Sequence, residues 1–193
     1  MRRGAPIRGI ARTLLVNVAE RQMIVNDDLG GLPVLISYCP LCRSGVVFDR
    51  RVDGQVLEFG NTSALHESDL VMLDRQTGSY WWQVAGQAIV GTLTGTRLTV
   101  LPSGLMTWQG WLALHPDTLV LEPPSGSVDV YDRDRLGGYE QFLDSGQFAF
   151  PVKRLDNRLP ASELVIGIEV GDVARVYPIE DVERSAINDT IGA

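Results

Sequence analysis

Leu32-Pro33-Val34-Leu35-Ile36-Ser37-Tyr38-Cys39-Pro40-Leu41-Cys42-Arg43-Ser44-Gly45-Val46-Val47-Phe48-Asp49 consists of two apolar runs joined by a short loop that carries both cysteines of the chain. The β-branched content and length of the runs predict strands over Leu32–Tyr38 and Gly45–Asp49, with the cysteine pair in the hairpin loop between them. Working outward, alternating apolar residues predict further short strands at Val56–Phe59, Leu70–Leu73, Ser79–Gln83, Gln87–Val90, Arg97–Leu101, Leu119–Leu121 and Leu164–Val170. The expected fold is mainly β (α+β), made of antiparallel hairpins of short strands with one or two short helices.

Turn chemistry supports antiparallel neighbours. Asp53-Gly54 tolerates the positive φ of a tight hairpin, and Arg75-Gln76-Thr77-Gly78 reads as a second turn. Asn26-Asp27 and Asn188-Asp189, each just before a glycine, read as turns held by side-chain-to-backbone hydrogen bonds. Thr107 before Trp108, Trp111, Leu112 and Leu114 predicts an N-capped helix that stops at His115-Pro116 and lids the sheet. Residues 122–157 read as a long connection with a helical turn near Tyr139–Leu143.

With 193 residues, 45% of them hydrophobic, the chain can bury one core, and residues 1–163 are read as a single β-rich domain. A net charge of −7 opposes phosphate tracking, which excludes nucleic acid as the expected partner. The sequence holds no apolar run long enough to span a bilayer. Its start is basic but lacks a signal peptide's apolar stretch, so as written the chain is expected in the cytoplasm, or exported or in the cell envelope if the N-terminus is truncated.

Gly9 to Gly31 resembles Gly171 to Ala193, with Ile24-Val25-Asn26-Asp27 answering Ile187-Asn188-Asp189. Residues 164–193 are therefore read as the start of a second repeat copy packed on the same domain. Only this copy has a leading strand, Leu164–Val170. That strand is expected to pair with Ala11–Leu15, in the same chain or in a homo-oligomer through the terminal strand.

The chemistry concentrates in Cys39-Pro40-Leu41-Cys42. A redox-active pair usually heads a helix, whose amides and dipole stabilise the thiolate, and no helix follows here. A Cys-Pro-x-Cys loop between strands instead matches a knuckle that turns two sulfurs toward one ion, although Arg43 stands where such knuckles usually place glycine. The leading expectation is a Zn²⁺ or Cu⁺ site of Cys39 and Cys42, completed by His66 and Asp69 from the polar stretch Asn61–Asp69. His115 ends the predicted helix, where the dipole accounts for it. The alternatives are a thiol–disulfide oxidoreductase or electron carrier using the same cysteines, and a non-catalytic binding module with a structural loop. Glycine-rich nucleotide loops and the common hydrolase and zinc-protease motifs are absent, so no nucleotide cofactor is expected. The four tryptophans, Trp81, Trp82, Trp108 and Trp111, read as core and lid packing.

Three separate stretches carry a family resemblance: Ile24-Val25-Asn26-Asp27 with Gly30-Gly31; Ser37-Tyr38-Cys39-Pro40-Leu41-Cys42 with Phe48-Asp49-Arg50; and Ser68-Asp69-Leu70-Val71-Met72 with Asp74-Arg75-Gln76-Thr77-Gly78-Ser79. Together with Trp108 and His115–Leu121, in this order and spacing, they resemble the bacterial domain of unknown function 3179. The resemblance implies a member cut at both ends and points to export or lipid anchoring. Arg43 and His66 depart from it, since the family more usually has glycine and an aromatic residue there. It supplies no activity.

Overall fold

The computed structural model describes residues 12–13, 23–120 and 145–191. Its strands in chain order begin with β1 (Arg12–Thr13), β2 (Ile24–Leu29), β3 (Leu32–Cys39), β4 (Ser44–Asp49), β5 (Arg51–Val52), β6 (Gln55–Val56) and β7 (Phe59–His66). They continue with β8 (Asp69–Asp74), β9 (Tyr80–Trp82), β10 (Gln87–Val90), β11 (Thr99–Leu101), β12 (Leu119–Val120), β13 (Val165–Val170) and β14 (Val173–Pro178). Two helices, α1 (Trp108–Leu114) and α2 (Ile179–Arg184), complete the described elements. The chain is mainly β, as its alternation predicts.

Two-residue turns set the pairing. Gly30 and Gly31, at φ 62° and 87°, join Leu29 to its partner Leu32, and Asp53-Gly54 joins Val52 to Gln55 in the same way. The result is two four-stranded antiparallel sheets, β11-β4-β3-β2 and β10-β9-β8-β7. Leu35, Cys39 and Phe48 of the first sheet share one core with Phe59, Leu70, Met72, Trp81 and Ala88 of the second. Phe59 and Trp81 meet edge to face with ring centroids 5.6 Å apart, and the Trp81 indole donates to the buried Asp74 carboxylate at 2.9 Å. β3 and β8 lie inside their sheets and are buried along most of their length, so both read as nearly continuous apolar runs.

Polar side chains stitch the sheets together. Asn26 on β2 donates to Phe59 O at 2.8 Å and accepts from Phe59 N at 2.9 Å, so its amide stands in for a strand's backbone across the gap to β7. The Asn26-Asp27 turn predicted from sequence is thus a strand. The turn lies two residues later, where Gly31 N donates to Asp28 Oδ1 at 2.7 Å.

Other expectations also change. Val56–Phe59 is not one strand: Val56 ends the small β5–β6 hairpin and Phe59 opens β7, which runs on through the polar stretch as far as His66. Helix α1 is capped by Thr107, whose side chain accepts from Gly110 N, yet none of its residues is buried, so it does not serve as the lid. Leu164–Val170 was expected opposite Ala11–Leu15. Within the chain, Val165–Val170 instead pairs antiparallel with Val173–Pro178, and Arg12–Thr13 pairs in parallel with Leu119–Val120. The turn at Gly171-Asp172, with Gly171 at φ 60°, closes the local hairpin at far lower chain-entropy cost than pairing across the whole chain. The helical turn at Tyr139–Leu143 and the last predicted strand residue, Leu121, lie outside the described residues.

Asn26→Ala strands both backbone groups of buried Phe59 and should lower the unfolding free energy by about 2–3 kcal/mol in urea titration. Alanine at Asn188, its exposed repeat counterpart, should cost less than about 0.5 kcal/mol.

Candidate metal centre

The β3–β4 hairpin brings its cysteines to the edge of the core. Cys39 is the last residue of β3, paired with Ser44 at the start of β4, and its side chain is almost wholly buried, with 1% of the residue exposed. Cys42 sits in the exposed loop between them, and both cysteines are free thiols. Arg43 adopts φ 51°, the left-handed backbone for which a knuckle uses glycine, so the loop makes the expected turn with an unfavourable residue in it.

The third member comes from the other sheet. Asp69 opens β8 after a tight turn in which Glu67 and Ser68 hold φ 51° and 60°, two non-glycine residues in left-handed backbone beside the site. Its carboxylate, 3% exposed as a residue, accepts from Val84 N at 2.9 Å and from the Cys42 thiol at 3.3 Å. One donor atom each from Cys39, Cys42 and Asp69 lie within 4.8 Å of one another.

Three acidic groups in so small a volume disturb one another's titration. A hydrogen bond from Cys42 holds the Cys39 thiol below its ordinary pKa, against the opposing effects of burial and the Asp69 charge. Cys42 is pushed far up because its proton is held by Cys39. Burial raises the Asp69 carboxyl, and the Val84 amide and the two thiols offset part of that rise. Among the described residues no arginine, lysine or histidine forms an ion pair with Asp69.

A proton chain orients the pair from behind. The Ser37 hydroxyl donates to Val46 O at 3.0 Å, so its oxygen accepts from the fully buried Gln83 amide at 3.0 Å. The Gln83 carbonyl then accepts from Ser44 Oγ at 2.8 Å, so Ser44 Oγ, 3.1 Å from Cys42 Sγ, stands as an alternative acceptor to Asp69 and Cys39 for the one Cys42 thiol proton. Sequence reasoning missed Ser37, Ser44 and Gln83. The one available signal was a glutamine directly after Trp81-Trp82 in an otherwise apolar run.

His66 stands opposite Asp69 in the β7–β8 ladder, but its ring packs edge-on against Trp82, centroids 4.9 Å apart, and it is outside the three-donor group. The structure thus brings together Cys39, Cys42 and Asp69 of the four residues singled out, and not His66. On its other side Cys39 borders a cavity of about 230 Å³, walled by Met23, Pro40, Leu41, Leu65, Leu70 and Phe150, with Asn61 and Ser63 as its polar members.

The sequence pattern of one family, described as protein of unknown function (DUF3179), matches residues 5–193. The chain belongs to that family. No curated protein and no solved structure matches it. The family match spans both sheets and the three-donor cluster. Among the described residues no helix is long and apolar enough to cross a membrane.

Because burial raises the Asp69 pKa on folding, the stability that its protonated carboxyl contributes to the metal-free protein is fully present below the unfolded value and is lost as pH rises through the folded one. Asp69→Asn, which mimics the neutral form, should therefore melt above metal-free wild type at pH 7, with the gap closing below about pH 4. Arg43→Gly relieves the left-handed strain and should raise stability by up to about 1 kcal/mol in denaturant titration, without slowing alkylation of the free thiols.

Proposed function

We propose that this DUF3179 protein binds a thiophilic divalent cation, Zn²⁺ above all, through Cys39, Cys42 and Asp69. The observation that carries the reading is the gathering of three ionisable donors within 4.8 Å, one of them a buried carboxylate with no cationic partner among the described residues. Left alone, the three groups cannot all ionise, because each negative charge raises the pKa of the others. A divalent ion reverses that: two thiolates and a carboxylate around it leave a net charge of −1, and the buried carboxylate gains the partner that makes its burial tolerable. A tetrahedral zinc ion would hold such donors roughly 3.5 Å apart; Cys42 Sγ and Asp69 Oδ1 already stand 3.3 Å apart, and no pair exceeds 4.8 Å, so only the wider separations would need to close. The oxygen donor favours Zn²⁺ over Cu⁺, which prefers an all-sulfur set. Three protein ligands leave a fourth position open, as in zinc sites that act on a bound molecule rather than in purely structural ones.

A second reading is favoured by one observation, the lowered Cys39 pKa, which is what a thiol–disulfide nucleophile needs. The two readings differ in what the metal does to reactivity. Protein expressed in defined medium and purified anaerobically should carry close to one zinc per chain. Cys39→Ser, Cys42→Ser or Asp69→Ala should each weaken retention on the order of tenfold to a hundredfold, and His66→Ala should change it little. Thiols that alkylate slowly until a chelator is added would agree. Thiols equally fast with and without chelator, in protein holding well under one metal per chain, would favour exchange chemistry.

A further inference from the structure

The cavity beside Cys39 is built by a deviation from regular pairing. In the β7–β8 ladder Asn61 pairs with Met72 and Leu65 with Leu70, so four residue steps on β7 face two on β8 and the strand carries two extra residues. Within this bulge Ser63 takes φ 60°, a strained conformation for a residue with a side chain. The bulge bonds to itself, through Ser63 N to Asn61 Oδ1 at 2.8 Å and Ala64 N to Thr62 Oγ1 at 3.0 Å, and is fastened to β8 by the Thr62 hydroxyl, which donates to Val71 O at 2.6 Å. Asn61, Ser63 and Leu65 of the bulged stretch line the cavity, facing Cys39, Pro40 and Leu41 of the hairpin loop across it. Phe150 closes one side from a distant part of the chain, and the Lys153 backbone N–H, bonded to Glu67 Oε2 at 2.7 Å, ties that segment to the β7–β8 turn.

Three properties define the occupant. Among the described residues the lining contains no charged side chain, so a charged ligand would lose its hydration without a partner there. A cavity near 150 Å³ accommodates benzene, so about 230 Å³ suits a molecule of roughly nine non-hydrogen atoms. The Asn61 amide nitrogen has the Met23 thioether, a weak acceptor 3.2 Å away, as its hydrogen-bond partner, which leaves it able to donate to something better. We infer that the cavity is a binding site for an uncharged, mostly apolar molecule of about this size that carries one hydrogen-bond acceptor for Asn61 and lies against Cys39. This goes beyond the proposed metal site and does not depend on it, because Cys39 borders the cavity whether or not an ion is bound.

Acetophenone and benzoate make the probe pair: each has about nine non-hydrogen atoms, and they differ in charge. Both are titrated calorimetrically into the full chain with metal and after chelation, and in each state the alkylation rate of Cys39 is followed by peptide mass spectrometry. Acetophenone should bind at least about tenfold more tightly than benzoate, and in chelated protein it should slow alkylation of Cys39 in proportion to occupancy. Leu65→Trp, at a partly exposed wall residue, should fill the space and abolish binding while metal content stays at the wild-type level. Phe150→Ala, also at an exposed residue, provides a second variant that opens the wall without touching the core and should weaken acetophenone binding severalfold. Equal affinity for the two probes, binding unaffected by both variants, or unchanged Cys39 alkylation at saturating acetophenone would overturn the inference. Loss of metal from wild-type protein with acetophenone binding intact would count against the metal reading alone.

Discussion

A carboxylate removed from water at the join of two sheets is the constraint around which this molecule is organised. Asp69 is held by a backbone amide of its own sheet and a thiol of the other, so the same contacts that tolerate its charge also fasten the cysteine hairpin to β8. The surrounding polar groups are arranged in sequence: Val46 O sets Ser37, Ser37 sets the Gln83 amide, Gln83 sets Ser44, and Ser44 faces Cys42. Ser37 and Gln83 are buried, so slipping one sheet against the other would leave their polar groups unpaired, which favours the one alignment seen. At the far end of the same join Asn26 does similar work against the Phe59 backbone.

Much of this was legible from residues alone. The cysteine hairpin, the Asp53-Gly54 turn, the Thr107 cap and strands β3, β4, β8 and β10 follow from apolar period and turn chemistry, because those signals act over a few residues. What escaped depends on distant partners. Asn26-Asp27 has the local signature of a turn, but pairing with Leu35 and Val34 of β3 makes it strand, and Phe59 across the gap takes up the Asn26 amide. His66 sits in a polar stretch with the composition of a loop, but pairing with β8 makes that stretch a bulged strand. Composition could bring His66 near Asp69, as the ladder does, yet could not tell that Trp82 would take its ring. Gln83 looked like the end of a strand, and its role appears only when Ser37 and Ser44 are seen on either side of it.

The strain in the structure gathers around the same place. Arg43, Ser63, Glu67 and Ser68 all hold left-handed backbone without being glycine, and they lie in the cysteine loop, the bulge that walls the cavity and the turn that presents Asp69. Each such residue costs of order 1 kcal/mol or more and persists only where surrounding contacts over-determine it. Of the two other such residues among those described, Met23 borders the cavity and Asp53 lies in the β5–β6 turn, so five of six gather around one cluster and one cavity, as a site held in shape for chemistry or binding would show.

The central claim is that the two thiols and the carboxylate share one ion. X-ray absorption at the zinc edge of the protein as purified tests it most directly. The account predicts two sulfur scatterers at about 2.3 Å with one or two oxygen scatterers at about 2.0–2.2 Å, and a drop in oxygen coordination with both sulfurs retained in Asp69→Ala. A shell of oxygen and nitrogen alone, or one unchanged when both cysteines are replaced by serine, would contradict it.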